Sequence, residues 1–226
     1  MDKSFLLPEP LHSLLGILES QSITNFYGAP GTGKTNICLL ATVECAKKEG
    51  TALFIDTEGG FSLERLKQLT TNYKKILQNI KLIEPKSFKE QGKVIRDLPS
   101  QKADLVVLDS AVALYRLEYA DPRTETIEAN RELSRQFSIL SNLAREKKIP
   151  VMVTAHIFKN WETGRNEIVG GDSIKYWSKA MVYLEKTGKT SERRATITKH
   201  RYLPEMKSVK FIIDGEGIKP SGFRIF

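Results

Sequence analysis

No stretch of this sequence approaches the roughly 18 consecutive apolar residues that a membrane-spanning helix requires. Met1 to Leu18 also lacks the basic start and long apolar run of a secretory signal, so a cytoplasmic protein with no membrane contact is expected. Cysteine is scarce: Cys38 and Cys45 are the only two, seven apart in one expected helix. That places them about two turns, roughly 10 Å, apart along the axis, beyond disulfide reach, and they read as small buried apolar residues. Three scattered histidines, His12, His156 and His200, complete too small a ligand set for structural zinc. Internal repeats and low-complexity tracts are absent, as is any composition shift that would mark a second domain. Hydrophobic residues at 40% and charged residues at 27% exclude disordered, collagen-like and disulfide-scaffold classes. What remains is one globular domain spanning residues 1–226.

The charge is unevenly placed. Of the net +8, the 25 residues from Lys186 to Lys210 carry +6, from eight Lys and Arg against Glu192 and Glu205. Such a segment suits a polyanion or a polyphosphate at a subunit boundary, or is a solvated basic face with no ligand.

From Ser22 onward, short apolar runs alternate with helix-length amphipathic stretches, the pattern of βα units feeding a parallel sheet. Strands are expected at Ser22 to Tyr27, Thr51 to Asp56, Ile80 to Ile83, Leu105 to Asp109 and Val151 to His156, each continuously apolar as strands covered on both faces should be. The clearest helix runs from Glu128 to Lys147, with Leu133, Phe137, Leu140 and Ala144 on one face. After Lys179, strands around Met181 to Glu185, Ala195 to His200 and Val209 to Ile213 are separated by turn-rich loops, which suggests antiparallel hairpins extending the sheet edge. The fold class is α/β, a mostly parallel sheet flanked by helices, with antiparallel strands at the C-terminal end.

Gly28-Ala29-Pro30-Gly31-Thr32-Gly33-Lys34-Thr35 matches the phosphate-binding pattern G-x-x-x-x-G-K-[ST], after a strand and before a helix. Average residue usage gives a chance match in a chain this long roughly one time in a hundred, before that context is counted. The glycines let successive backbone N–H groups curl inward toward phosphate oxygens, beside the positive end of a helix dipole. Lys34 would reach the β and γ phosphates of ATP. Thr35 would place its hydroxyl on Mg²⁺, and Asp109, ending an apolar strand, would hold the same ion through water. Ser110 follows Asp109, so the acid that activates water must stand elsewhere. Glu58, just past the strand Thr51 to Asp56 at the carboxyl end of the sheet, is the candidate; otherwise Asp56, Thr57 and Glu58 cap the helix starting near Leu63.

The segment Phe54-Ile55-Asp56-Thr57-Glu58-Gly59-Gly60-Phe61-Ser62-Leu63-Glu64-Arg65-Leu66 resembles the RecA-type recombinases, particularly archaeal and eukaryotic forms, and so does Leu108 to Arg116. With the phosphate loop, Gly170-Gly171-Asp172 and Leu203-Pro204-Glu205, the resemblance runs from about Leu11 to the end, and is greatest to small archaeal paralogues without an amino-terminal DNA-binding domain. It implies a RecA-like P-loop ATPase core, Glu58 as the water-activating base and Arg65 stacked on adenine. It also implies nucleotide held between subunits of a homo-oligomer or against a recombinase partner, where Pro204 covers the neighbour's base and Lys199 and Arg201 supply positive charge in trans.

Departures from the recombinase pattern bear on activity. His156 stands where a recombinase has its γ-phosphate-sensing glutamine. The first DNA-facing loop, Glu118 to Ile127, carries Glu118, Asp121 and Glu125 against Arg123 alone. The second, Phe158 to Val169, is short but offers Lys159, Trp161 and Arg165, cations flanking a ring that can stack on an unpaired base of single-stranded DNA. The only Phe-x-x-Ala, the recombinase protomer link, is Phe26 to Ala29, committed to the strand and loop. The expected function is an ATP-binding, slowly hydrolysing, DNA-binding accessory of recombination and repair. An ATP-gated protein that recruits recombinase or nuclease partners is the alternative. A small-molecule kinase is disfavoured, because nothing after Asp109 resembles an acceptor pocket.

Overall fold

A computed structural model describes residues 3–120, 126–162 and 164–222. The chain opens with β1 (Phe5–Leu6), α1 (Leu11–Leu15) and β2 (Ile17–Leu18). Then follow β3 (Ser22–Gly28), α2 (Lys34–Lys47), β4 (Ala52–Asp56), α3 (Leu63–Leu69), α4 (Tyr73–Leu77), β5 (Ile80–Ile83), α5 (Phe88–Asp97), β6 (Leu105–Asp109), α6 (Ala113–Ala120) and α7 (Thr126–Lys147). The remainder is β7 (Pro150–Ala155), the pair β8 (Ile157–Lys159) and β9 (Asn166–Ile168), α8 (Gly171–Trp177), β10 (Ala180–Lys186), β11 (Glu192–Lys199), β12 (Ser208–Asp214) and β13 (Gly217–Pro220).

Nine strands form one sheet in the order β13-β12-β11-β10-β3-β7-β6-β4-β5. The five pairings from β10 to β5 are parallel, and the three from β13 to β10 are antiparallel. The expected α/β class is therefore present, with one refinement. β10 joins the two parts, docking parallel beside β3 with Val182 opposite Phe26 and pairing antiparallel with β11, where the expected hairpins begin. Its near-continuous burial is that of an interior strand.

Two apolar layers cover the sheet. Leu133, Phe137, Leu140 and Ala144 of α7 pack with Val106, Leu108, Val151 and Val153, as their spacing predicts. On the other face Ile37, Cys38, Ala41 and Cys45 of α2 pack with Phe26, Phe54, Val107 and Val182. Both cysteines are buried free thiols, and burial pushes Cys45 up to about 12. No helix among the described residues is long and apolar enough to cross a membrane.

Helix α3 is capped by Ser62, whose Oγ accepts the Arg65 N–H at 3.1 Å. Ser62→Ala should therefore cost about 1 kcal/mol of stability, read as a lower urea midpoint at unchanged slope.

Candidate functional site

The loop between β3 and α2 is shaped by close backbone approach. A Cβ on Gly28 would stand 2.1 Å from the Leu184 carbonyl oxygen, so only glycine lets β3 and β10 pack this tightly here. Gly33 adopts φ +99° at the start of α2. Among the described residues no side chain caps that helix start and no acid occupies its first turn, which leaves N–H groups and the dipole's positive end open to an anion. Lys34 is buried, and its Nζ donates to the carbonyls of Gly28 at 2.9 Å and Ala29 at 3.0 Å. Burial lowers its pKa, against the pull of Glu58 and Asp109.

Asp109 ends β6 beside that helix start. Its Oδ1 accepts from Thr154 Oγ1 at 2.5 Å, while Oδ2 is buried with no hydrogen-bond partner among the described residues. Burial raises its pKa, the Thr154 and Thr35 hydroxyls oppose the rise, and the neighbouring Glu58 and Asp56 carboxylates add to it. A Cβ on Gly60 would stand 3.4 Å from Thr35 Oγ1 and 3.8 Å from Asp109 Oδ2, so hydroxyl and carboxylate border one small space. An orphaned carboxylate oxygen beside a threonine hydroxyl fits a magnesium ion, which prefers few protein oxygens and keeps several waters.

Glu58 is delivered by a turn that Asp56 organises. Asp56 accepts the N–H groups of Glu58 and Gly60 at 3.1 Å each and of Phe61 at 2.8 Å. Thr57 Oγ1 donates to the Ser110 carbonyl and accepts the Ser110 N–H, both at 2.8 Å, fastening this turn to the one after β6. Because Ser62 caps α3, the capping alternative for Asp56 to Glu58 does not describe this turn. The Glu58 carboxylate lies 2.6 Å from His156 Nε2, with side chains 36% and 13% exposed. Burial works to raise the Glu58 pKa, but His156, then Lys34 and Ser110, carry it below the ordinary carboxylate value.

Arg65 reaches across from α3. Its Nε donates to Asn36 Oδ1 at 2.8 Å, and Nη1 donates to Gln68 Oε1 at 2.7 Å and the Asp214 carbonyl at 2.8 Å. The guanidinium is thus held beside the first turn of α2. Lys199, Arg201 and Pro204 sit elsewhere. Lys199 pairs with Met181 near the amino end of the parallel sheet, and its Nζ donates to the Lys175 carbonyl. Arg201 and Pro204 are exposed in the following loop. None of the three shares the cluster formed by Lys34, Thr35, Glu58 and Asp109.

The segment Phe158 to Val169, expected as a loop, contains the two-stranded hairpin β8–β9, closed where Val169 N–H donates to the His156 carbonyl at 2.9 Å. Lys159 and Arg165 are exposed on it, and Trp161 at its tip is 92% exposed. Beside the hairpin is a cleft of about 660 Å³, bordered by Arg116, Asn130, Phe158, Glu167 and Asp172, of mixed charge. Of the first expected DNA-facing loop, Asp121, Arg123 and Glu125 lie outside the described residues.

Several contacts at the site are not legible in the sequence. Thr154 holds Asp109, and His156 holds Glu58. Arg193 Nε donates to the Gly31 carbonyl at 3.0 Å, with Lys186 Nζ also against Gly31. The basic segment was the only signal for the last two.

A parallel sheet with a phosphate loop after β3, an acid ending β6 and an acid following β4 defines a RecA-like P-loop protein. The chain belongs to the Rad51 family, which it matches over residues 9–221. It is 41% identical over 216 residues to the DNA repair and recombination protein RadB of Methanococcoides burtonii, covering 93% of this chain and 95% of that one. To the protein of the same name from Methanosphaera stadtmanae it is 38% identical over 229 residues, covering 96% and 97%. A crystal structure of the RadB recombinase superposes with a TM-score of 0.81 at 32% identity, covering 95% of this chain and 97% of that chain. The resemblance to RecA-type recombinases is thereby borne out, and RadB is the small paralogue concerned. Proteins of this family generally bind ATP with Mg²⁺, act on DNA and oligomerise.

Proposed function

We propose that this chain is an ATP-binding, slowly hydrolysing, DNA-binding accessory protein of homologous recombination and DNA repair, built as a single RecA-like domain. The observation that carries it is the convergence of Lys34, Thr35, Glu58 and the orphaned Asp109 Oδ2 at an uncapped helix start. Backbone N–H groups from Gly31 through Thr35 bind the phosphates, and Lys34 exchanges two loop carbonyls for phosphate oxygens. Thr35 and Asp109 hold Mg²⁺, which neutralises charge on the phosphates when bound. Glu58 orients the attacking water and accepts its proton. Arg65 borders the adenine, Pro204 covers a neighbour's base, and Lys199 and Arg201 act across a subunit boundary. Arg201 is the better placed, being exposed and without an ion pair among the described residues, whereas the Lys199 head is engaged by its own chain.

The β8–β9 hairpin carries the DNA reading. A fully presented ring between two cations can stack on any base, but only on one whose face is open, so single-stranded DNA is preferred. Trp161→Ala should weaken binding to a single-stranded oligonucleotide by about 1–3 kcal/mol without altering the salt dependence. Lys159→Ala and Arg165→Ala should each flatten the slope of log affinity against log salt by about 0.7. Fluorescence anisotropy at two salt concentrations, with and without Mg·ATP, reads both. Failure to bind at low salt with ATP present overturns the DNA assignment.

A further inference from the structure

Two cations of the same chain reach the phosphate loop from behind. β10 and β11 are paired so that Lys186 stands opposite Arg193. Leu184, two residues before Lys186, and Ala195 and Ile197, two and four residues after Arg193, are buried with α2 on one face of the sheet. Both cations therefore project from the face that carries the loop. A Cβ on Gly31 would stand 3.2 Å from Lys186 Nζ, and Arg193 Nε donates to the Gly31 carbonyl at 3.0 Å. Arg193 Nη1 donates to the Glu192 carbonyl at 2.9 Å, which fixes the guanidinium plane. The Glu192 carboxylate accepts instead from the Thr187 and Ser221 hydroxyls, so it does not draw Arg193 off the loop.

The direction of the Gly31 carbonyl sets the direction of the next N–H. The Gly31–Thr32 peptide is trans, so its carbonyl and its N–H point to opposite sides. With the carbonyl drawn toward β11, the Thr32 N–H faces away from it. Thr32 is 1% exposed, yet this N–H makes no hydrogen bond among the described residues. Buried backbone donors are nearly always paired, so one held in a fixed direction without a partner suits an arriving anion. Gly31 also adopts φ +73°, in the region that favours glycine, and a glycine left unrestrained could turn that peptide over. A side chain that fixes it before nucleotide arrives spares the ordering cost at binding.

We propose that Arg193 is a positioning residue for nucleotide binding: by holding the Gly31 carbonyl it presets the Thr32 N–H toward the β-phosphate of a nucleoside di- or triphosphate, with Lys186 adding positive charge behind the same glycine. This rests on the assignment of the loop as the nucleotide site and adds to it a residue from 162 positions downstream.

The test is titration calorimetry of the full chain with Mg·ATP and with Mg·ADP, which share the β-phosphate. Arg193→Met removes the donor and should raise both Kd values by about tenfold, the equivalent of one hydrogen bond. Arg193→Gln keeps an N–H at the same distance along the side chain as Nε but carries no charge, and should recover most of the affinity. Turnover of Arg193→Met at saturating ATP should stay within about twofold of wild type, because the Thr32 N–H serves the bound ground state and the transition state alike. Should the methionine variant melt early, Arg193→Ser, polar and too short to reach Gly31, takes its place. Wild-type affinity for both nucleotides in the folded variant overturns the hold. Arg193→Gln binding as weakly as Arg193→Met does so too, since charge rather than the held carbonyl is then the cause. A defect with ATP that ADP lacks also overturns it, because it places Arg193 at the γ-phosphate.

Lys34→Ala separates this from the assignment beneath it. Weakened nucleotide binding in Lys34→Ala beside an unaffected Arg193→Met overturns the hold alone. Unchanged binding in Lys34→Ala overturns the loop as the nucleotide site.

Discussion

Lys34→Ala should raise the Kd for Mg·ATP by on the order of a hundredfold to a thousandfold, measured by titration calorimetry, while the protein remains folded. Truncating one partner of a buried, hydrogen-bonded charge pair costs about 2–5 kcal/mol, and each 1.4 kcal/mol is roughly tenfold in affinity. The upper part of that range applies because Lys34 is the cation among acids. Glu58 and Asp109 both act on it electrostatically, so without it an incoming triphosphate meets uncompensated negative charge. Stability should change far less. The Gly28 and Ala29 carbonyls each lose a donor, at about 1 kcal/mol apiece. Removing a buried ammonium also relieves desolvation, the largest cause of its lowered pKa, and this offsets part of the loss. Circular dichroism separates a folded non-binder from an unfolded one. Unchanged ATP affinity in the folded variant rules out this loop as the nucleotide site.

The phosphate loop was legible because its eight residues are contiguous and their chemistry is local. Lys34 finds its partners five and six residues back, and the helix start needs only its own backbone. The parallel strands were legible for a related reason, since a strand buried on both faces is written as an unbroken apolar run. Side chains that meet only through strand order were not. Thr154 reaches Asp109 because β7 lies beside β6, and Arg193 reaches Gly31 because β11 returns antiparallel, contacts spanning 45 and 162 residues. No periodicity within a segment encodes either. The change of texture after Lys179 groups β10 with the antiparallel strands, as its pairing with β11 bears out, but its second, parallel partner is β3, far upstream. The hairpin in the second loop is three residues a side, too short for alternation to stand out from a polar loop. His156 was singled out only through the family resemblance. What it touches, Glu58 across 98 residues, needed the fold.

Glu58→Gln should reduce ATP turnover by on the order of a hundredfold to ten-thousandfold while leaving the Kd for Mg·ATP nearly unchanged. General-base assistance contributes about that factor, and a group that acts on attacking water serves the transition state more than the bound ground state. The amide keeps the shape of the side chain and still accepts from His156 Nε2, so the turn held by Asp56 and Thr57 should persist. The pH profile carries an independent sign. Burial, the largest influence on Glu58, raises its pKa, and His156, Lys34 and Ser110 together bring it below the ordinary carboxylate value. The base is therefore ionised across the neutral range, and its acid limb should lie below that of an ordinary glutamate. A depressed folded pKa stabilises the protein above the unfolded pKa and loses that contribution as pH falls through the folded value, so the contact weakens only in acid. His156→Ala removes a lowering influence and leaves burial less opposed. Its acid limb should move to higher pH, while Glu58→Gln should lose the limb altogether. Undiminished hydrolysis in Glu58→Gln places the base elsewhere. A His156→Ala profile that overlays wild type, beside a crippled Glu58→Gln, means that His156 packs against the carboxylate without tuning it.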